Sequence, residues 1–260
     1  MIVLAVLAPV LTGYDPAAYS GSILSPPSWQ HLLGTNDVGH DVWSRLIYGA
    51  RTSLLVGAGA AVLSTFISIL IGCIAALFGG LYDRIVMRTV DALLVIPPVL
   101  IIILVAAYLR PNILLLIILL GCLLWPGGAR VVRAQTLSLQ ERLHVNAART
   151  FGAGWMHLLL RHIIPDLGPI IIAMAIQDAR RAVFMEAGLS FLGVADPGLI
   201  SWGKMIHSAL GFTYLNAWKW WLIPPGLALA ITITALTFTG YSLEKALNPR
   251  LKKGDNHAEH

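Results

Sequence analysis

The chain has 260 residues, of which 57% are hydrophobic and only 12% charged, with a mean hydropathy of +0.75. Soluble domains carry about 25% charged residues, so the composition argues against a water-soluble globule and for an integral membrane protein. A net charge of +5 would suggest nucleic acid in a soluble chain, but here it fits the excess of Lys and Arg that orients apolar helices, and no nucleic acid is expected.

Met1–Leu11 is wholly apolar but too short to span, because a helical crossing takes about 20 residues. No basic residue precedes it, which disfavours a signal peptide. It is read as the outer part of a truncated first helix, with a short interfacial anchor as the alternative. A turn-rich loop follows, marked by Asp15-Pro16 and Ser25-Pro26-Pro27. Val42, Leu46 and Ala50 then share one helical face behind Asp41 as N-cap. This predicts a short helix on the outer surface, ahead of the next span.

Ser53–Leu81 holds no charged residue and reads as the second span. Ala92–Leu109 is the third, with Pro97 and Pro98 inside it, as membrane helices tolerate. Ile113–Trp125, extended to Ala129, is the fourth. Leu167–Val194 is the fifth, apolar apart from Gln177, Asp178, Arg180, Arg181 and Glu186. Trp220–Leu243 is the last. The expected architecture is all-α and polytopic, with about six transmembrane helices. Residues 1–51 form the partial first helix and extracytoplasmic loop, 52–253 the membrane domain, and 254–260 a polar tail.

Orientation follows from counting. With both termini inside, segments 82–91, 126–166 and 242–260 hold eleven Lys and Arg, against five in the outer segments. That bias places both termini in the cytoplasm. Trp202, Trp218, Trp220 and Trp221 then fall in or beside the outer loop 195–219, as an outer aromatic belt would.

Catalytic signals are weak. Gly198–Met205 has the glycines and lysine of a phosphate loop, but Met205 stands where a Ser or Thr must hold Mg²⁺, and the segment faces out. Cys73 and Cys122 both lie in apolar runs and read as core residues. The terminal His257 and His260 read as a solvated tail, so no catalytic or metal site is expected.

The segment of about 140–165 is the longest inside stretch and is itself broken. Leu143, Ala147 and Phe151 share a helical face, Gly152 stops the run, and Trp155, Leu158, Leu159, His162 and Ile163 form a second apolar stripe. Pro165 is expected to end that second helix and Asp166 to cap the fifth span. Such a helix, turn and helix either rests on anionic lipid or docks a partner. The charges of the fifth span leave two readings as well. Asp178, Arg180, Arg181 and Glu186 either line a substrate path or pair structurally, and in both cases are expected at a subunit interface.

Asn146-Ala147-Ala148, Gly152, His162 and Pro165 give N-A-A-x3-G-x9-H-x-I-P, which resembles the EAA loop of ABC-importer permeases. His162 matches the dipeptide/oligopeptide/nickel branch of that family, whereas Asn146 departs from the family Glu. Further motifs of that branch are resembled by Gly34–Arg51 (with His40 for the usual Arg), Asp91 with Ile96-Pro97-Pro98, Leu189-Ser190-Phe191-Leu192-Gly193, Ser201-Trp202-Gly203 with Met205, and Ala246–Arg250.

The resemblance implies a type I importer permease fold with a cytoplasmic coupling helix. It implies a second permease, two ATPase subunits and an extracytoplasmic solute-binding protein as partners, in the plasma membrane of a bacterium or archaeon. ATP and Mg²⁺ are then bound by the ATPases and no cofactor by this chain. Asn146, Ala147, Ala148, Arg149, Gly152, Arg161, His162 and Pro165 become the coupling segment. The expected cargo is peptide, with nickel or another metal chelate as the alternative. A secondary transporter is the reading from another class, although no inverted repeat of interrupted helices is detectable.

Overall fold

The computed structural model describes residues 3, 5, 7–109, 112–196 and 198–247, with side chains to Leu243. The tail at 254–260 lies outside the described residues, as do most of the match at Ala246–Arg250 and parts of Met1–Leu11.

Among the described residues the chain is helical, with one isolated bridge between Thr35 and Asp41. The helices are α1 (Ala8–Leu11), α2 (Val42–Phe78), α3 (Gly80–Val95), α4 (Pro98–Leu109), α5 (Ile113–Gln140), α6 (Leu143–Thr150), α7 (Trp155–Phe191), α8 (Trp202–Leu210) and α9 (Ile223–Leu247, preceded by the turn Trp218–Trp221). Four of them are long and apolar enough to cross a membrane, and α3 with α4 makes a fifth span if the bent pair counts as one. Ile96, between them, is extended, as a residue before proline prefers.

Two expectations about helix ends are corrected. The short surface helix at Asp41–Ala50 is not separate: α2 runs unbroken for 37 residues, or about 55 Å, against a hydrocarbon core of about 30 Å. Asp41 does cap it, accepting from the Ser44 N–H at 2.8 Å. Nor does Pro165 end a helix. Leu159–Ile163 forms a π-turn in which the Ile164 N–H reaches back to the Leu159 carbonyl. That wide turn absorbs the proline, whose ring would crowd the carbonyl four residues before it in a regular helix.

The chain packs as two compact units. The first takes the chain up to Ala60, Val99–Ile118 and Ala179–Ala235. Its cores gather Ala50, Trp202 and Ala228, and Val42, Met205, Ala209 and Trp221. Trp202 and Trp221 are thus fully buried rather than set in an interfacial belt. The Trp202 indole N–H is satisfied by the Leu46 carbonyl at 3.0 Å, so nothing draws the ring towards water. Gly203 lets this helix close on α7, because a Cβ there would stand 2.2 Å from the Ala187 carbonyl oxygen. The loop ahead of α2 is tied by Asp41, which also meets His31 Nδ1 at 2.9 Å. His40 Nδ1 lies 3.0 Å from the Arg45 guanidinium. Burial and the Arg45 charge push the His40 pKa down, which suits a neutral ring accepting from the arginine. An arginine at 40, as the resembled pattern has, could not accept that bond.

The second unit takes Ala61–Pro98, Leu119–Asp178 and the chain from Leu236 on. Its core joins Cys73, Val132, Leu139, Ile163 and Leu167 from three helices.

Candidate functional site

Segment 140–165 is built within the second unit. α6 ends in a Schellman cap: the Ala153 N–H returns to the Ala148 carbonyl, and the Gly152 N–H to that of Arg149. Gly152 takes φ +84°, a left-handed conformation that suits glycine. The expected sharp turn is therefore present. Beyond it α7 starts at Trp155 and continues through the π-turn to Phe191, so the turn is joined to a long helix without a break.

The base of the turn is anchored and its tip is bare. Val145, Leu158 and Ile163 are buried. Trp155 packs against Phe78 with ring centres 5.8 Å apart, and the Gln140 amide donates to the Ala76 carbonyl at 3.1 Å. Asp166 does not cap α7. Its carboxylate instead takes Arg142 at 3.2 Å and His144 at 3.4 Å, tying the start of α6 to α7. His162 lies between His144 and His157, at ring distances of 6.0 and 5.6 Å. Asn146, Ala147, Arg149, Arg161 and Pro165 are exposed, and Ala148 and His162 half-buried. Leu143 and Phe151, at 89% and 91%, are among the most exposed large apolar side chains in the molecule. With Ala147 they make one apolar stripe. The Asn146 side-chain amide donates to the Glu141 carbonyl at 3.2 Å, within its own segment. A carboxylate at that position has no proton to give.

The four charged residues of the fifth span divide. Asp178, 5% exposed, accepts from the Ser64 hydroxyl at 2.7 Å. Glu186 is completely buried and accepts from Ser53 at 2.9 Å and Ser190 at 2.7 Å, with the Ser201 hydroxyl joining the same carboxylate. Both carboxylates are covered by hydroxyl-bearing residues of their own chain. Arg180 and Arg181 line a cleft of about 260 Å³ with Phe184, Met185 and Ile233. Replacing both arginines by Leu is expected to lower uptake about ten-fold, the order of one lost charge-assisted hydrogen bond. Unchanged uptake kinetics would remove them from the transport path.

The phosphate-loop likeness at Gly198–Met205 is a packing motif. Ser201 caps α8 through the Lys204 N–H, and Trp202, Gly203 and Met205 are buried. Sequence reasoning missed two ion pairs. Asp83 binds Arg133 and Asp91 binds Arg130, joining α3 to α5. The proximity of Asp91 to the Ile-Pro-Pro break was the available signal, but its partner lies 39 residues away.

Residues 68–253 match the family model described as binding-protein-dependent transport system inner membrane component. Among curated relatives, a protein named as a peptide permease in Brucella suis is 41% identical over 227 residues, which is 87% of this chain and 75% of that one. The oligopeptide transport system permease protein OppC of Bacillus subtilis is 37% identical over 259 residues, 97% of this chain and 83% of its own. Among solved structures, the inward-facing MetNI methionine ABC transporter matches with a TM-score of 0.61 at 19% identity, over 78% of this chain and 96% of that one. At that identity the likeness concerns the fold.

Proposed function

The chain belongs to the family of binding-protein-dependent transport system inner membrane components, and from that premise we propose that it is a peptide-import permease coupled to ATPases through residues 140–165. It is a multi-pass protein of the inner membrane and a transport subunit rather than a catalyst. A second permease pairs with it to form the path, and two cytoplasmic ATPases bind ATP and Mg²⁺ and drive it. An extracytoplasmic binding protein delivers the cargo. Peptide is preferred over a metal chelate because both curated relatives are named for peptides. The eleven-to-five bias of Lys and Arg supports both termini in the cytoplasm.

The observation that carries the coupling role is the bare stripe Leu143, Ala147 and Phe151 on a turn fixed to a 37-residue helix. A partner that grips the stripe moves α7 as a rigid lever. Arg149 and Arg161 stand exposed on the same segment to meet acidic groups. The test is reconstitution in proteoliposomes with and without the ATPases and the binding protein. ATP-dependent uptake of a labelled peptide is expected only from the complete set. Full uptake by this chain alone would overturn the proposal.

A further inference from the structure

A second charged feature lies away from the coupling turn, in a cleft of about 450 Å³ along α3. Gly80, Asp83, Arg84, Arg88, Asp91 and Arg133 line it. Both carboxylates are already engaged, Asp83 with Arg133 and Asp91 with Arg130. Arg84 and Arg88 are exposed, one helical turn apart, and hold no ion pair among the described residues. Four guanidinium groups thus face two carboxylates, leaving an excess of positive charge.

The same helix exposes an apolar strip. Leu81, Ile85 and Val95 are 70%, 58% and 80% exposed. At 3.6 residues per turn, Arg88 falls within that strip, between Leu81 and Val95, and Arg84 lies at its edge. An exposed face on which arginines stand among apolar side chains suits a membrane interface, where the arginine stems lie along acyl chains and the guanidinium heads reach the phosphates. The segment also falls on the side where anionic lipid collects, if residues 82–91 face the cytoplasm as the charge count indicates.

We propose that Arg84 and Arg88, on the α3 cleft floored by the Asp83–Arg133 pair, bind the headgroup of an anionic phospholipid. The cleft supplies fixed cations for the phosphate, and the adjoining strip supplies a surface for the acyl chains. A purely acidic protein partner would have no use for that strip. The proposal uses the membrane orientation given under the proposed function but not the cargo.

The experiment uses the assembled transporter in phosphatidylcholine nanodiscs with rising fractions of phosphatidylglycerol. ATPase rate and phosphatidylglycerol retained by mass are read together. R84Q/R88Q is compared with wild type and with Lys219→Gln as control. Each arginine near an anionic surface is worth roughly a five-fold change in binding, so the double variant is expected to need about 25-fold more phosphatidylglycerol for half-effect. It should also retain less lipid. An unchanged half-point with unchanged retention overturns the proposal. So does equal stimulation by inorganic phosphate, which would make the ligand a free anion, or loss of the ATPases or second permease from R84Q/R88Q in phosphatidylcholine alone, which would make the cleft a protein interface. Retention is read without transport. Arginine-dependent retention in a complex that imports no peptide would overturn the proposed function and leave this site standing.

Discussion

Phe151→Asp is expected to abolish ATP-driven uptake while leaving the chain folded and inserted. The ring is 91% exposed, so its own chain loses almost no packing when it goes. A partner that buries it loses an aromatic anchor and must desolvate a carboxylate instead. Truncating an interface hot spot costs about 2–4 kcal/mol, roughly 30- to 1,000-fold in affinity. The check is co-purification of the ATPase subunits, with the melting temperature of the permease as control. If the ATPases remain bound and uptake persists, the stripe is not the docking surface. Gly152→Asp is expected to act more mildly. Nothing lies within 4 Å of a Cβ at Gly152, so the cost is that of a left-handed non-glycine residue, about 1–2 kcal/mol, and aspartate tolerates that region better than most. Gly152→Val should be the more damaging change, because a branched side chain resists φ +84°.

The spans were legible because hydrocarbon demands long apolar runs, and no tertiary contact can substitute for length. Ser53–Leu81, Ile113–Ala129 and Trp220–Leu243 fall within or close to the bounds of α2, α5 and α9. Helix ends were less legible. Proline and aspartate are local signals, and at Pro165 and Asp166 non-local demands won. The π-turn accommodates the ring, and because the helix already starts at Trp155, Asp166 lies inside it and its carboxylate pairs with Arg142 and His144 instead. Similarly, Trp202 and Trp221 look like belt residues until the Leu46 carbonyl and the cores around Val42 and Ala50 are seen to absorb them.

For segment 140–165, the stop at Gly152 and the apolar stripe Leu143, Ala147 and Phe151 were both readable from the sequence, whereas the left-handed φ of the glycine came from the structure. The role of Asn146 was not, because its acceptor is a backbone carbonyl five residues earlier that carries no side-chain signal. The charged residues of the fifth span were found as residues but not as environments. Their spacing on α7 says which face they share. It does not say that serines at 53 and 64, more than a hundred positions away, cover two of the four.

That covering sets the second large effect. Glu186→Leu is expected to destabilise the permease by several kcal/mol, because it strands the hydroxyls of Ser53 and Ser190, both fully buried, without their carboxylate acceptor. A buried donor left unsatisfied costs about 1–3 kcal/mol, and this change leaves at least two. Glu186→Gln should retain part of the loss, since its carbonyl can still accept from one serine while its NH₂ must find an acceptor of its own. Thermal unfolding of the purified chain in detergent ranks wild type above Gln and Gln above Leu. The double variant Glu186→Leu with Ser53→Ala separates this from simple loss of volume. If the orphaned hydroxyl is the cause, removing Ser53 as well makes the pair less harmful than the sum of the two singles, by about 1 kcal/mol or more. Strict additivity would show that Glu186 acts through packing alone. A wild-type melting point for Glu186→Leu would refute the buried network.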